Sequence, residues 1–308
     1  MSSESTNISR RALLAHGAGG VVSALAAAIL PSCHSIRIGP AGKPSSKMRF
    51  GLTTYQWGKE WDLPTLIDYC QKAQIYGAEL RTTLSYAHGV ELELSPQKRR
   101  EVKKRFDDSP VTLVGLATGE RFDSPDPAAL HAAIENCRAY LKLSYDVGGS
   151  GIRVFPNRFH EDVPRDKTIE QIADSLSIVG VFAADYGQEV RLEAHGSAGD
   201  LPTVRKIMDV VVHPSVKVTL NSDKRDTLGD GLKHNFNLVK NYLGSTVHVH
   251  DFNDPEFPYQ LLMNLLVEID WPGWVLLERS GKPRDPIKAL TEQRQTWQRM
   301  IEKSWLTT

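Results

Sequence analysis

From Met48 onward, short runs of β-branched and aliphatic residues alternate with longer segments whose apolar positions recur every three or four residues. That alternation is the mark of strand–helix units on a parallel sheet. Eight strand candidates can be placed: Met48–Thr53, Ala78–Arg81, Val111–Ala117, Gly151–Val154, Glu189–Glu193, Val216–Leu220, Thr246–Val249 and Trp274–Leu277. Between them, Leu63, Leu66, Cys70 and Ala73 share one helical stripe, and Leu130, Ile134, Cys137 and Leu141 another. Ile169, Ile172, Leu176 and Val179 form a third, and Ile287, Leu290, Trp297 and Ile301 the last. Asp126-Pro127 and Asp285-Pro286 each set a capping carboxylate before a first-turn proline, which starts a helix.

Eight such units in about 260 residues predict an α/β fold, a (β/α)8 TIM barrel over residues 48–308. A doubly wound open sheet is the competing architecture. It would want a glycine-rich phosphate loop after the first strand, where Thr53-Thr54-Tyr55-Gln56-Trp57 stands instead.

Composition narrows the function. With 37 Lys+Arg against 37 Asp+Glu the chain of 308 residues is formally neutral, which argues against a nucleic-acid partner. Its basic clusters, Lys98-Arg99-Arg100 and Lys103-Lys104-Arg105, fall in one polar helical stretch and read as a solvated face. The cysteines, Cys33, Cys70 and Cys137, have no CxxC spacing, so a thiolate zinc site is excluded. Cys70 and Cys137 lie on apolar stripes and are expected to be buried thiols.

The N-terminal 33 residues read as an address. Ser9-Arg10-Arg11-Ala12-Leu13-Leu14 resembles a twin-arginine export signal, and the Ala/Gly/Leu/Val stretch that follows is too diluted for a permanent span. Leu30-Pro31-Ser32-Cys33 resembles a lipoprotein cleavage box. Cys33 is therefore a candidate lipid anchor, the alternative being a cleaved, unlipidated signal. Residues 34–47 read as a tether. The expectation is an exported protein, periplasmic or membrane-anchored, touching the membrane only through Cys33, with a homo-oligomer left open.

In a barrel, chemistry gathers at the C-terminal ends of the strands. Strand five ends in Glu193, strand six in Asn221, strand seven carries His248, and strand eight ends in Glu278. Two carboxylates, an imidazole and an amide oxygen at one level make a hard O/N donor set. It suits a single divalent metal ion, Mn²⁺, Mg²⁺, Co²⁺ or Zn²⁺, with positions left open for substrate. His195 and Arg153 are read as pocket residues that orient substrate hydroxyls. His250 and Arg279 are candidates facing either the substrate or the rim, and Trp57 with Tyr55 could form a sugar platform or pack as loop aromatics. His88 is read as a helix cap.

These motifs carry a resemblance to the xylose-isomerase-like TIM barrels, the sugar phosphate isomerase/epimerase superfamily that also includes endonuclease IV. It covers about Met48 to Trp305. It rests on Leu192-Glu193-Ala194-His195, Asn221-Ser222-Asp223 with Asp226, His248–Asp251, Leu277-Glu278, and Glu79-Leu80-Arg81-Thr82-Thr83 with Ala87-His88-Gly89-Val90-Glu91. The resemblance implies that Glu193 and Glu278 bind the metal and exchange protons with substrate, while Asn221 and His248 complete the ligand set. Asn221 departs from the Asp usual in epimerases, and His250 from the Lys many members place before the Asp.

The implied activity is isomerisation or epimerisation of a keto-sugar or cyclic polyol, beginning with abstraction of the proton beside a carbonyl. β-Elimination by a lyase begins in the same way. A non-catalytic carbohydrate-binding lipoprotein is the rival reading. An endonuclease-like phosphodiesterase is disfavoured because strands three and six lack the further histidines a trinuclear zinc cluster needs. An exported enzyme meets few sugar phosphates, so the expected partner is a non-phosphorylated small molecule.

Overall fold

The computed structural model describes residues 46–82 and 85–307. Eight strands, β1 (Arg49–Thr53), β2 (Gly77–Arg81), β3 (Thr112–Arg121), β4 (Gly151–Phe155), β5 (Glu189–Glu193), β6 (Val216–Asn221), β7 (Leu243–Val249) and β8 (Trp274–Leu277), pair in sequence order. All pairs are parallel, and β8 returns to β1 to close the barrel. Helices α1 (Leu63–Lys72), α2 (Pro96–Asp107), α3 (Pro127–Val147), α4 (Arg165–Asp185), α5 (Leu201–Val210), α6 (Gly231–Val239), α7 (Tyr259–Glu268) and α8 (Pro286–Thr307) fill the crossovers. The chain is a TIM barrel.

One capping device recurs around the ring. Asp62, Ser95, Asp126 and Asp200 each accept a backbone N–H of the first turn, and each is followed within two residues by proline. Asp285 does the same for α8, accepting from Lys288 N–H at 3.0 Å. The carboxylate or hydroxyl satisfies one orphan donor, while the proline needs none. The helical stripes pack as their periodicity predicts. Cys70 and Cys137 are fully buried among them, and burial pushes the Cys70 thiol up to about 12, so it stays an inert thiol.

The barrel interior departs from the usual apolar filling. Arg191 and Glu79 are both fully buried there, with Trp274 and Leu276 below them. Space comes from glycines on the facing strands. A Cβ on Gly77 would lie 2.5 Å from the Trp274 ring, and one on Gly115 would lie 2.6 Å from Arg191 Nη1. Among the described residues no helix is long and apolar enough to cross a membrane. The expectations for Arg10-Arg11, Cys33 and the tether up to residue 45 lie outside the described residues.

Candidate metal centre and active site

Strand pairing explains why four separate strand ends meet. Residues two apart on a strand face the same side. Glu193 is in register with Thr219, so Asn221, two residues on, faces the same interior; Asn221 is itself in register with His248. His248 pairs with Leu276, and Glu278 follows two residues later. The backbone N–H of Glu278 donates to Val249 O at 2.7 Å, extending the ladder one step past β8. All four side chains are buried. Among the described residues, Glu193, His248 and Glu278 each offer a ligand atom, and these atoms lie within 4.8 Å of one another. Asn221 joins them, its Nδ2 donating to Glu193 Oε1 at 2.9 Å.

Charge is closely balanced here. His248 Nε2 lies 2.8 Å from Glu79 Oε2, while its Nδ1 lies 3.3 Å from Glu193 Oε2 and 3.7 Å from Glu278 Oε2. Arg153 Nε approaches Glu193 Oε2 to 2.8 Å, and Arg81 Nη1 approaches Glu278 Oε1 to 3.1 Å. Burial alone would push the His248 imidazole down, but the flanking Glu79 and Glu193 carboxylates override it and raise it to about 10. Burial would likewise raise Glu193, yet Arg153 and His248 hold it well below the usual carboxylate range.

The donor atoms fit a divalent cation. Glu193 Oε2, Asn221 Oδ1 and His248 Nδ1 are buried, and none has a properly aligned hydrogen-bond partner, despite the short approach of Arg153. The Asn221 Oδ1 orphan costs roughly 1–3 kcal/mol, whereas Glu193 Oε2 and His248 Nδ1 still face each other as ions at 3.3 Å. Converging oxygens and an imidazole nitrogen are the set a hard or borderline divalent ion relieves. Ligation at Nδ1 displaces the proton that the flanking carboxylates otherwise keep there.

Around this group, the other sequence candidates separate. Arg153 belongs to it: its Nη1 donates to Thr118 O at 2.9 Å, and its guanidinium lies 4.1 Å from the Phe155 ring centroid. His195 lies at the edge, exposed, its ring 4.9 Å from that of Phe155. His250 turns away, Nδ1 3.4 Å from Ser222 Oγ and its backbone N–H donating to Tyr259 Oη. Arg279 pairs with Asp251 at 3.0 Å and stacks 5.4 Å from the Trp57 ring. Both Arg279 and Trp57 line a cavity of about 480 Å³ beside the start of α8, with Asp285 and Gln293, rather than the convergent group. Tyr55 packs on Arg81, 4.8 Å from its guanidinium.

His88 is a loop clamp, not a helix cap. Its Nε2 donates to Arg81 O (2.9 Å) and its Nδ1 accepts from Val90 N–H (3.0 Å), which requires the neutral ring. Burial lowers it to about 4. Because the folded value is below the ordinary 6.5, its stabilisation is complete above pH 6.5 and is lost as pH falls through 4. His88→Gln should therefore flatten the fall in urea midpoint between pH 6.5 and 4, where the wild type loses up to ~1.4 kcal/mol per pH unit through this group. Parallel slopes for the two proteins would remove His88 from this role.

Two buried charges, Glu79 and Arg191, carry no role in the sequence reading; Glu79 entered only as part of a motif. The available signal was their spacing: Glu79-Leu80-Arg81 and Glu189-Val190-Arg191-Leu192-Glu193 alternate charge with apolar side chains inside strands.

The family model for the xylose isomerase-like TIM barrel matches residues 67–302, most of the described barrel. The chain belongs to that family. Solved structures of the same fold include an L-ribulose 3-epimerase, with a TM-score of 0.71 and 12% identity over 84% of this chain and 96% of the other. The IolI protein with a bound zinc atom has a TM-score of 0.69 and 14% identity, covering 83% and 99%. A probable 3-DHS dehydratase from Bacillus anthracis has a TM-score of 0.63 and 14% identity, covering 82% and 99%. At such identities the likeness shows the fold. Among curated proteins no sequence matches.

Proposed function

We propose that this xylose isomerase-like barrel is a divalent-metal-dependent sugar isomerase or epimerase acting on a keto-sugar or cyclic polyol. One observation carries the reading: two buried carboxylates, Glu193 and Glu278, face one space beside His248, and each has its own arginine. Glu193, Asn221, His248 and Glu278 would hold the ion, which when bound supplies Lewis-acid polarisation of substrate oxygens. One carboxylate takes the proton from the carbon beside the carbonyl as the electron pair moves onto the carbonyl oxygen. The other enters the cycle as the protonated acid and delivers its proton to that carbon from the opposite face. The carbonyl re-forms with the centre inverted, and the proton left on the first carboxylate exchanges with solvent to reset the pair. Arg153 and Arg81 hold the two carboxylates in place during the exchange. The same first step followed by loss of a β-hydroxyl makes a lyase, the outcome suggested by the dehydratase among the similar structures.

The test is solvent exchange. Incubated with Mn²⁺ in D₂O, the protein should place deuterium beside the carbonyl of at least one keto-sugar in a panel, and Glu278→Gln should abolish it. Stoichiometric metal without exchange into any sugar would instead favour the carbohydrate-binding reading.

We further propose that the protein is exported through its Arg10-Arg11 signal. The described chain enters β1 at the end of the barrel opposite the candidate site. Replacing Arg10 and Arg11 by Lys should strand the precursor in the cytoplasm; unchanged export would refute the signal.

A further inference from the structure

We propose that Glu79 is a positioning residue for the metal centre, its buried charge standing in for the negative charge that neutral Asn221 leaves out of the ligand set. The inference rests on the metal-dependent reading above and concerns how this chain holds His248.

His248 stands between two groups of carboxylates. Its Nδ1 faces Glu193 and Glu278, and its Nε2 lies 2.8 Å from Glu79 Oε2. An ionised carboxylate only accepts, so Nε2 keeps its hydrogen and Nδ1 is the nitrogen presented for ligation. Glu79 is itself immobilised. Thr53 Oγ1 donates to Glu79 Oε2 at 3.0 Å, and Arg191 Nη1 lies 3.7 Å from Glu79 Oε1. Arg191 is fixed in turn by Glu189 Oε2 at 3.0 Å, Ser150 Oγ at 2.7 Å and Val114 O at 3.3 Å. Gly115 leaves the room this guanidinium occupies.

Stability is a poor reason for such an arrangement. A buried ion pair is commonly replaced by apolar groups of similar volume at no loss, and the strands around it are otherwise rich in those residues. Charge supplies a better one. The proposed ligands bring two negative charges, from Glu193 and Glu278, and none from Asn221. Glu79 adds a third through the imidazole, because a carboxylate accepting from one ring nitrogen raises the basicity of the other. On this account Glu79 and Asn221 are energetically coupled although neither touches the other directly.

The coupling is measured by titrating Mn²⁺ into the metal-free full-length chain. Glu79→Gln keeps an acceptor for Nε2–H but removes the charge, and should weaken binding by roughly 10–100-fold. Adding Asn221→Asp to that variant should tighten binding by roughly 100-fold, against about tenfold in the wild-type background where Glu79 already supplies the charge, so the double-mutant cycle closes with strong non-additivity. Thr53→Val, which loosens Glu79 without changing any charge, should weaken Mn²⁺ binding by about fivefold and serves if Glu79→Gln misfolds. A merely structural Glu79 would lower the melting temperature and leave the Mn²⁺ dissociation constant unchanged, overturning the proposal. Additive effects in the cycle would overturn the charge-compensation argument. A wild-type chain that takes up no stoichiometric Mn²⁺ or Zn²⁺ would overturn the metal centre itself, a different failure from a metal-binding chain indifferent to Glu79.

Discussion

His248→Ala should empty the metal centre and destabilise the barrel at the same time. The imidazole is the proposed nitrogen ligand, and it is also the group lying between Glu79 at 2.8 Å and Glu193 at 3.3 Å. Removing it leaves two buried carboxylates facing each other across a void, with Arg191 and Arg153 as the nearest fully buried cations to offset them. Breaking a buried charge pair from one side costs about 3–5 kcal/mol. That is a large fraction of a marginal stability, so the variant should denature at clearly lower urea while retaining helical circular dichroism at low temperature. Elemental analysis should show metal falling below a tenth of an equivalent per chain, and deuterium exchange into keto-sugars should vanish with it. Full metal occupancy in the folded variant would mean that the ligands are misassigned. Lost occupancy with unchanged urea resistance would mean that Glu79 and Glu193 are not mutually strained without the ring.

Most of the fold was legible because the physics that builds it is local. All eight expected strands form; β3 runs on to Arg121, four residues past Ala117, and β7 starts at Leu243 rather than Thr246. There Leu243, Gly244 and Ser245 interrupt the β-branched run, but the ladder to β6 already begins at Leu243. The caps at Asp126 and Asp285 are sequence-visible; those at Asp62 and Asp200 use the same chemistry with the proline one residue later. The convergence of Glu193, Asn221, His248 and Glu278 followed from strand-end position and register. Just beyond β5 and β7, unlike β8, the backbone leaves the two-residue repeat. His195 lies two residues after Glu193, but its backbone N–H folds back onto Glu193 O at 2.8 Å and the chain leaves the sheet. His250 lies two after His248, and there the Tyr259 hydroxyl captures the backbone N–H. Glu79 and Arg191 were hidden for another reason. A charged residue in mid-strand reads as exposed until closure brings Gly77 and Gly115 opposite Trp274 and Arg191 and creates the space.

Asn221→Asp should tighten metal binding and slow turnover. In the wild type, Asn221 Nδ2 donates to Glu193 Oε1 at 2.9 Å, and its Oδ1 is left buried without a partner. A carboxylate at this position would replace that donor with an anionic oxygen beside Glu193. In the metal-free protein the two like charges repel in a buried site, so the variant should melt earlier than the wild type. With a divalent ion between them the repulsion becomes shared attraction, and affinity should rise by about tenfold or more. The third negative charge also offsets the positive charge that draws electrons from a substrate carbonyl. Proton abstraction should therefore slow by roughly 10-fold, the equivalent of ~1.4 kcal/mol in the barrier. Mn²⁺ titration and solvent deuterium exchange on one purified variant measure both. Unmoved affinity would show that Asn221 only hydrogen-bonds Glu193, reducing the ligand set to Glu193, His248 and Glu278. Higher affinity with faster exchange would keep Asn221 as a ligand and reverse the electrostatic argument, because the rate would then be limited by metal occupancy rather than by the electrophilicity of the centre.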